Sequence, residues 1–170
     1  MTMTDPLKVR WIERIQNGIQ GVQYNSLASQ TDRALSKLFT LLDCDINSLN
    51  PGKRLFFTNY SLGYRSGSET GGMTKSLLYE DSELFDDLVT AIKPKVIICL
   101  GKLTYEAVSR RPVNEYLKQL RKGIPFESTY PANESIKVYG VSHCGARGIS
   151  NVGGMDLIEK SWARISNYLK

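Results

Sequence analysis

Lys93-Pro94-Lys95-Val96-Ile97-Ile98-Cys99-Leu100-Gly101-Lys102 decides the fold class of this chain. Pro94 ends the helical pattern before it, because the residue preceding a proline is pushed out of the α region. Residues 95–100 form a continuous apolar run of the kind buried on both faces of a parallel sheet. Gly101 then turns the chain into a new helical pattern. Upstream, Asp81 or Ser82 caps a helix over 83–93. Downstream, helical stretches are expected over 103–110 and 113–122, and a Pro-bearing loop leads to a strand ending Lys137-Val138-Tyr139-Gly140-Val141-Ser142-His143. Alternating helices and strands predict an α/β domain with a short parallel sheet flanked by helices.

The same grammar extends toward both ends. Asp5-Pro6 opens a helix with Leu7, Trp11 and Ile15 on one stripe, stopping at Gly18. Thr31-Asp32 opens a second helix, with Ala34, Leu35, Leu38, Phe39 and Leu42 as its apolar face. Asn50-Pro51-Gly52 turns into a strand, Arg54-Leu55-Phe56-Phe57-Thr58-Asn59-Tyr60, and a Gly/Ser-rich loop follows from Ser61 to about Ser76. At the C-terminus Ile158, Trp162, Ile165 and Leu169 mark an amphipathic helix. A length of 170 residues suits one domain, 1–170, with a real core.

Composition narrows the chemistry. Twenty-two basic against seventeen acidic side chains give a net charge of +5, which favours a polyanionic partner. Cys44, Cys99 and Cys144 are odd in number and widely spaced, as expected of a reducing, cytoplasmic setting. A zinc site would have to use all three thiols plus His143, the only histidine, and no paired spacing supports it. The longest apolar run is too short to span a bilayer. Three local likenesses fail on spacing. Lys75 does not directly follow the second glycine of a P-loop in Gly67 to Ser76, and Asp43-Cys44-Asp45 lacks the glycine and glutamate of a calcium loop. His143 and Cys144, as neighbours on a strand, would point to opposite faces.

Two polar residues stand at predicted strand ends, Asn59 and His143, where ligands of open parallel sheets bind. The succession of a helix, a strand ending Thr58-Asn59, a helix, the 94–102 segment, a helix, a strand ending in His143 and a final helix resembles the uracil-DNA glycosylase superfamily, in its atypical branches, from about Thr31 onward. The resemblance implies a DNA partner, no metal and no organic cofactor. It implies that Asn59 reads the base edge and His143 stabilises the departing base anion. An Asn amide can donate to uracil O4 and accept from N3–H, a pattern that cytosine reverses. An imidazole at O2 meets negative charge that exists only near the transition state. A duplex target must first be flipped out. Tyr24 stands near where the family stacks an aromatic on the base. Arg147, Lys102, Arg65 and Lys75 are the expected phosphate contacts.

The chain departs from the family in two places. After His143 it reads Cys144-Gly145-Ala146-Arg147-Gly148-Ile149-Ser150-Asn151 where the family has Pro-Ser, and a Gly-rich loop bearing Arg147 is expected there. The family's first motif, a strand and Gly-rich turn carrying the residue that handles the attacking water, is not found between Met1 and Gln30. Three readings follow from the residues: a glycosylase-like protein that binds and excises a flipped base, a catalytically inert nucleic-acid-binding relative, and an α/β protein for a nucleotide or other small ligand.

Overall fold

The computed structural model describes residues 30–44, 55–60 and 75–169. The expected helix at 5–18, Tyr24, Arg65 and the P-loop-like stretch lie outside the described residues, as does the side chain of Lys75. The chain divides into two units, Met1–Phe56 and Phe57–Lys170.

In the first unit, helix α1 (Gln30–Leu41) starts one residue before the predicted cap. Its stripe of Ala34, Leu35, Leu38, Phe39 and Leu42 is buried, as the spacing predicts. Asp43 closes the helix in the left-handed conformation, φ 56°, and the following Cys44 N–H donates to the Phe39 carbonyl at 3.0 Å. A short polar side chain tolerates that geometry without glycine.

The second unit is α/β, built on a small mixed sheet. Its elements are α2 (Lys75–Glu80), α3 (Ser82–Ile92), β1 (Val96–Leu100), α4 (Lys102–Ser109), α5 (Tyr116–Leu120), β2 (Phe126–Tyr130), β3 (Asn133–Val141), α6 (Ala146–Val152) and α7 (Met155–Leu169). The three strands lie in the order β1-β3-β2. β1 runs parallel to β3, pairing Val96 with Lys137 through to Leu100 with Val141, as expected. β2 is antiparallel to β3, which corrects the expectation of a purely parallel sheet. The Pro-bearing segment read as a loop holds that strand. Its prolines flank the strand instead of interrupting it, and Pro131-Ala132 turns a hairpin that lets β3 begin at Asn133.

The predicted strand at Arg54–Tyr60 is the second correction. Residues 55–59 form no strand, and Phe56 and Phe57 are 58% and 51% exposed. Apolar content alone does not make a strand, because the backbone must also find a partner edge. Helix α2, unforeseen, begins at the end of the stretch read as loop and fills most of the gap before the predicted 83–93 helix, and α5 is shorter than the predicted 113–122. There Val113 is buried, and its N–H donates to Glu106 Oε1 at 2.8 Å, pinning the connection outside the helix.

Alternation along β3 shows how the sheet is covered. A Cβ at Gly140 would meet the Tyr105 ring at 2.6 Å, so that face carries α4. Tyr139, pointing the other way, meets the Tyr168 ring of α7 at 6.2 Å. Helices therefore cover both faces, and Val138 and Val141 are completely buried. Cys99 pairs with Gly140 in the register and lies on the α4 side, 1% exposed. Burial pushes its thiol well above the ordinary range.

A labelling experiment follows from this packing. Cys99 and Cys144 are 1% and 0% exposed, and only a thiolate attacks an alkylating reagent. Iodoacetamide should leave both unmodified in the native protein and label them on unfolding in urea, as read by peptide mass spectrometry. Rapid native labelling of Cys99 would contradict the packing of α4 on the sheet.

Candidate functional site at the end of β3

The carboxyl ends of the two parallel strands are tied together before any ligand is considered. Gly101 N–H donates to the Val141 carbonyl at 2.8 Å, and the Tyr116 hydroxyl donates to the same oxygen at 2.9 Å. One carbonyl thus fixes the β1–α4 junction and the start of α5 against the last residue of β3. Tyr116 is buried, which raises its hydroxyl pKa and keeps it a donor.

Past Val141 the chain makes a tight, ordered turn. The Ser142 hydroxyl donates to the Gly148 carbonyl at 3.0 Å, and Gly145 N–H donates to His143 Nδ1 at 3.0 Å. Because the backbone N–H can only donate, Nδ1 is the accepting nitrogen and the proton of the ring is on Nε2. Ser142, Cys144 and Gly145 are buried while His143 is exposed. A buried turn thus holds the exposed imidazole from one side and leaves its Nε2–H outward.

The expected Gly-rich loop after His143 is a correction. Residues Ala146–Val152 form a seven-residue helix. Its glycine has a packing reason: a Cβ on Gly148 would lie 1.8 Å from the His143 carbonyl oxygen. The sequence shows two glycines close together and suggests a loop. Only the folded chain shows that one of them lets a helix seat directly on the backbone of His143.

The predicted site residues separate into two groups. Lys102 opens α4 beside the Gly101–Val141 bond, and Arg147 is exposed in the first turn of α6, so both stand at the same end of the sheet as His143. Lys102 is partly engaged, with Nζ 3.7 Å from the buried carboxylate of Glu106. Asn59 is exposed, and its neighbour Tyr60 is buried with its ring 4.6 Å from Phe85. Burial and the nearby Asp86 raise the Tyr60 hydroxyl pKa. Asp86 in turn accepts from Arg110 and from the hydroxyl of Tyr130, the last residue of β2, which pairs with the first residue of β3. The nine residues of β3 span about 26 Å. These contacts seat Tyr60, the neighbour of Asn59, against α3 near Asp86, and none of them runs to the turn that holds His143. They do not bring the two residues together.

Two features of the site escaped the reading of the sequence. Tyr116 and Glu106 fall within predicted helical stretches, and neither residue type nor spacing sets them apart there. Among the described residues no group of three His, Cys, Asp or Glu side chains is placed to hold a metal, and no helix is long and apolar enough to cross a membrane. Comparison of the chain with protein-family models, with curated proteins and with solved structures gave no match.

Proposed function

We propose that the chain binds nucleic acid at the turn following β3, with the outward Nε2–H of His143 donating to a base or phosphate oxygen and Arg147 contacting the backbone. The reading carries with it a relationship to the uracil-DNA glycosylase superfamily in fold. What supports that relationship is the parallel β1–β3 pair, with β1 leading through Gly101 into α4 and β3 leading into His143.

The single observation that carries the functional reading is the Gly145 N–H to His143 Nδ1 bond. It orients the ring and fixes its tautomer in advance, which is how a protein presents a hydrogen-bond donor to developing or standing negative charge. The positive balance of the chain and the exposed Arg147 suit the same partner. Excision of a base is the second reading, favoured by the same outward donor. It requires Asn59, or another residue, to read the base from close to His143.

The test is titration of labelled uracil-containing single- and double-stranded DNA by fluorescence anisotropy across a range of salt. Binding is expected at low salt, and Arg147→Ala should weaken it for every sequence and reduce the slope of log K against log salt by about 1. No binding at low salt would overturn the proposal. Single-turnover assays on the same DNA separate the two readings. Binding with little or no cleavage marks the binding module. Robust cleavage, cut on the order of 10²–10³-fold by His143→Ala, marks the enzyme.

A further inference from the structure

We infer that the nucleic-acid contact does not stop at Arg147 but continues as a phosphate-binding track along α5, α6 and α7, formed by Arg147, Arg121, Lys122, Lys160 and Arg164. The inference rests on the nucleic-acid reading above and adds to it the route and length of the backbone contact.

All five side chains are exposed, and among the described residues none of them forms an ion pair. That distinguishes them from the neighbouring basic residues of the same unit. Lys102 pairs with Glu106, Lys118 with Glu115, Lys137 with Glu127 and Arg110 with Asp86. Lys93, Lys95 and Arg111 are also exposed without an ion pair, but they lie on the connections at the opposite end of the sheet.

The five are contiguous through contacts seen in the fold. Arg121 Nε donates to the Asn151 carbonyl at 3.0 Å, which docks the end of α5 on the last turn of α6, the helix whose first turn carries Arg147. The guanidinium is oriented by that bond and keeps its other N–H groups for a ligand. Lys122 follows, and a Cβ on the next residue, Gly123, would stand 2.7 Å from Lys160 Cβ, so α7 approaches the α5 terminus at Lys160. Arg164 lies one helical turn beyond Lys160 on the same side of α7. Two acids stand on that helix: Glu159, next to Lys160, is half-buried, and Asp156 folds back over Gly154, its carboxylate 2.6 Å from where a Cβ there would be. It sits at the N-terminal turn, where a carboxylate suits the helix dipole.

One turn along α6, one interhelical step and one turn along α7 give a track of roughly 20 Å. At 3.4 Å per nucleotide that matches about six steps of a nucleic-acid strand. Closely spaced cations without ion-pair partners are what a polyphosphate backbone exploits, because each contact releases condensed counterions. The track begins beside His143, so a strand lying on it would deliver a nucleotide to the outward Nε2–H.

The experiment compares wild type, Arg147→Ala and the triple variant Lys122→Ala/Lys160→Ala/Arg164→Ala for binding to one labelled 20-bp duplex between 50 and 200 mM salt, with circular dichroism to confirm folding. A second triple variant, Lys122→Arg/Lys160→Arg/Arg164→Lys, keeps the charge. The alanine triple should weaken binding at least tenfold and flatten the salt slope by about 2.5, and the charge-keeping triple should restore both. If Arg147→Ala lowers the slope while the alanine triple retains the wild-type slope, the track is overturned and the reading of the His143 turn stands. If wild type does not bind DNA at low salt, the reading itself fails. Binding to vesicles containing anionic lipid, in place of DNA, would reassign the cations to a membrane surface and overturn the track.

Discussion

Gly148→Ala is expected to destabilise the protein by about 2 kcal/mol and to abolish the nucleic-acid binding proposed above, although alanine is by far the better helix former. Gly148 lies inside α6, where exchanging glycine for alanine would ordinarily gain about 1 kcal/mol. The gain is outweighed by geometry. The new Cβ would lie 1.8 Å from the carbonyl oxygen of His143 and 2.7 Å from its carbonyl carbon. Both atoms belong to the backbone, so no side-chain rotation relieves the overlap, and α6 must move off the turn. Overpacking of this kind costs about 1–3 kcal/mol, occasionally more. Backbone-to-backbone contact places this case at the upper end.

Movement of α6 would also break the Ser142 hydroxyl to Gly148 carbonyl bond and shift the turn that holds His143. Thermal melts should show a melting temperature lower by roughly 4–8 °C, and anisotropy should show loss of the proposed DNA binding at temperatures where the variant is still folded. Ser150→Ala, at an exposed position of the same helix, should leave both unchanged. A Gly148→Ala protein as stable as wild type would mean that α6 does not seat on His143, and the described site would be wrong.

Trp162→Ala should have the largest effect on stability. Trp162 is 1% exposed on α7, between Ile158 at 2% and Ile165 at 0%, in the helix that covers the β3 face opposite α4. Removing a buried indole loses its transfer free energy and leaves a cavity, together about 3–5 kcal/mol. Domains of this size are stable by only about 5–15 kcal/mol, so the variant loses a large share of its margin. A fall in melting temperature of roughly 6–20 °C is expected, with a matching shift of the urea midpoint and little change in the slope m. A loss below about 1 kcal/mol would show that α7 is not packed on the sheet as described. Trp162→Phe, which keeps most of the apolar volume, should recover more than half of the loss.

Where periodic burial determines structure, the sequence by itself was sufficient. The stripe on α1, the amphipathic α7, the apolar run of β1, the stop at Pro94 and the approach of β3 to His143 could all be read from spacing, because one buried face or one special residue dictates each of them. Pairing was decided only in the tertiary structure. Phe126-Glu127-Ser128-Thr129-Tyr130 becomes a strand because β3 offers it an edge, and Leu55-Phe56-Phe57, more apolar, does not pair. A hydrogen-bonded ladder is a property of two segments, so neither segment's composition can announce it.

The site divides along the same line. His143 was legible as a polar residue closing a strand, and Lys102 and Arg147 as nearby cations. The Gly145 bond that orients the imidazole, the Tyr116 hydroxyl that ties the strand ends and the contact that demands glycine at 148 arise between segments distant from one another or folded back on themselves. Asn59 shows the limit most clearly. Its place at a predicted strand end suggested the same edge as His143, but residues 55–59 form no strand, and the segment is held by the burial of Tyr60 against Phe85 near Asp86. A buried aromatic ring outweighs a local turn preference by several-fold in free energy, and what that ring packs against is fixed only when the chain has folded.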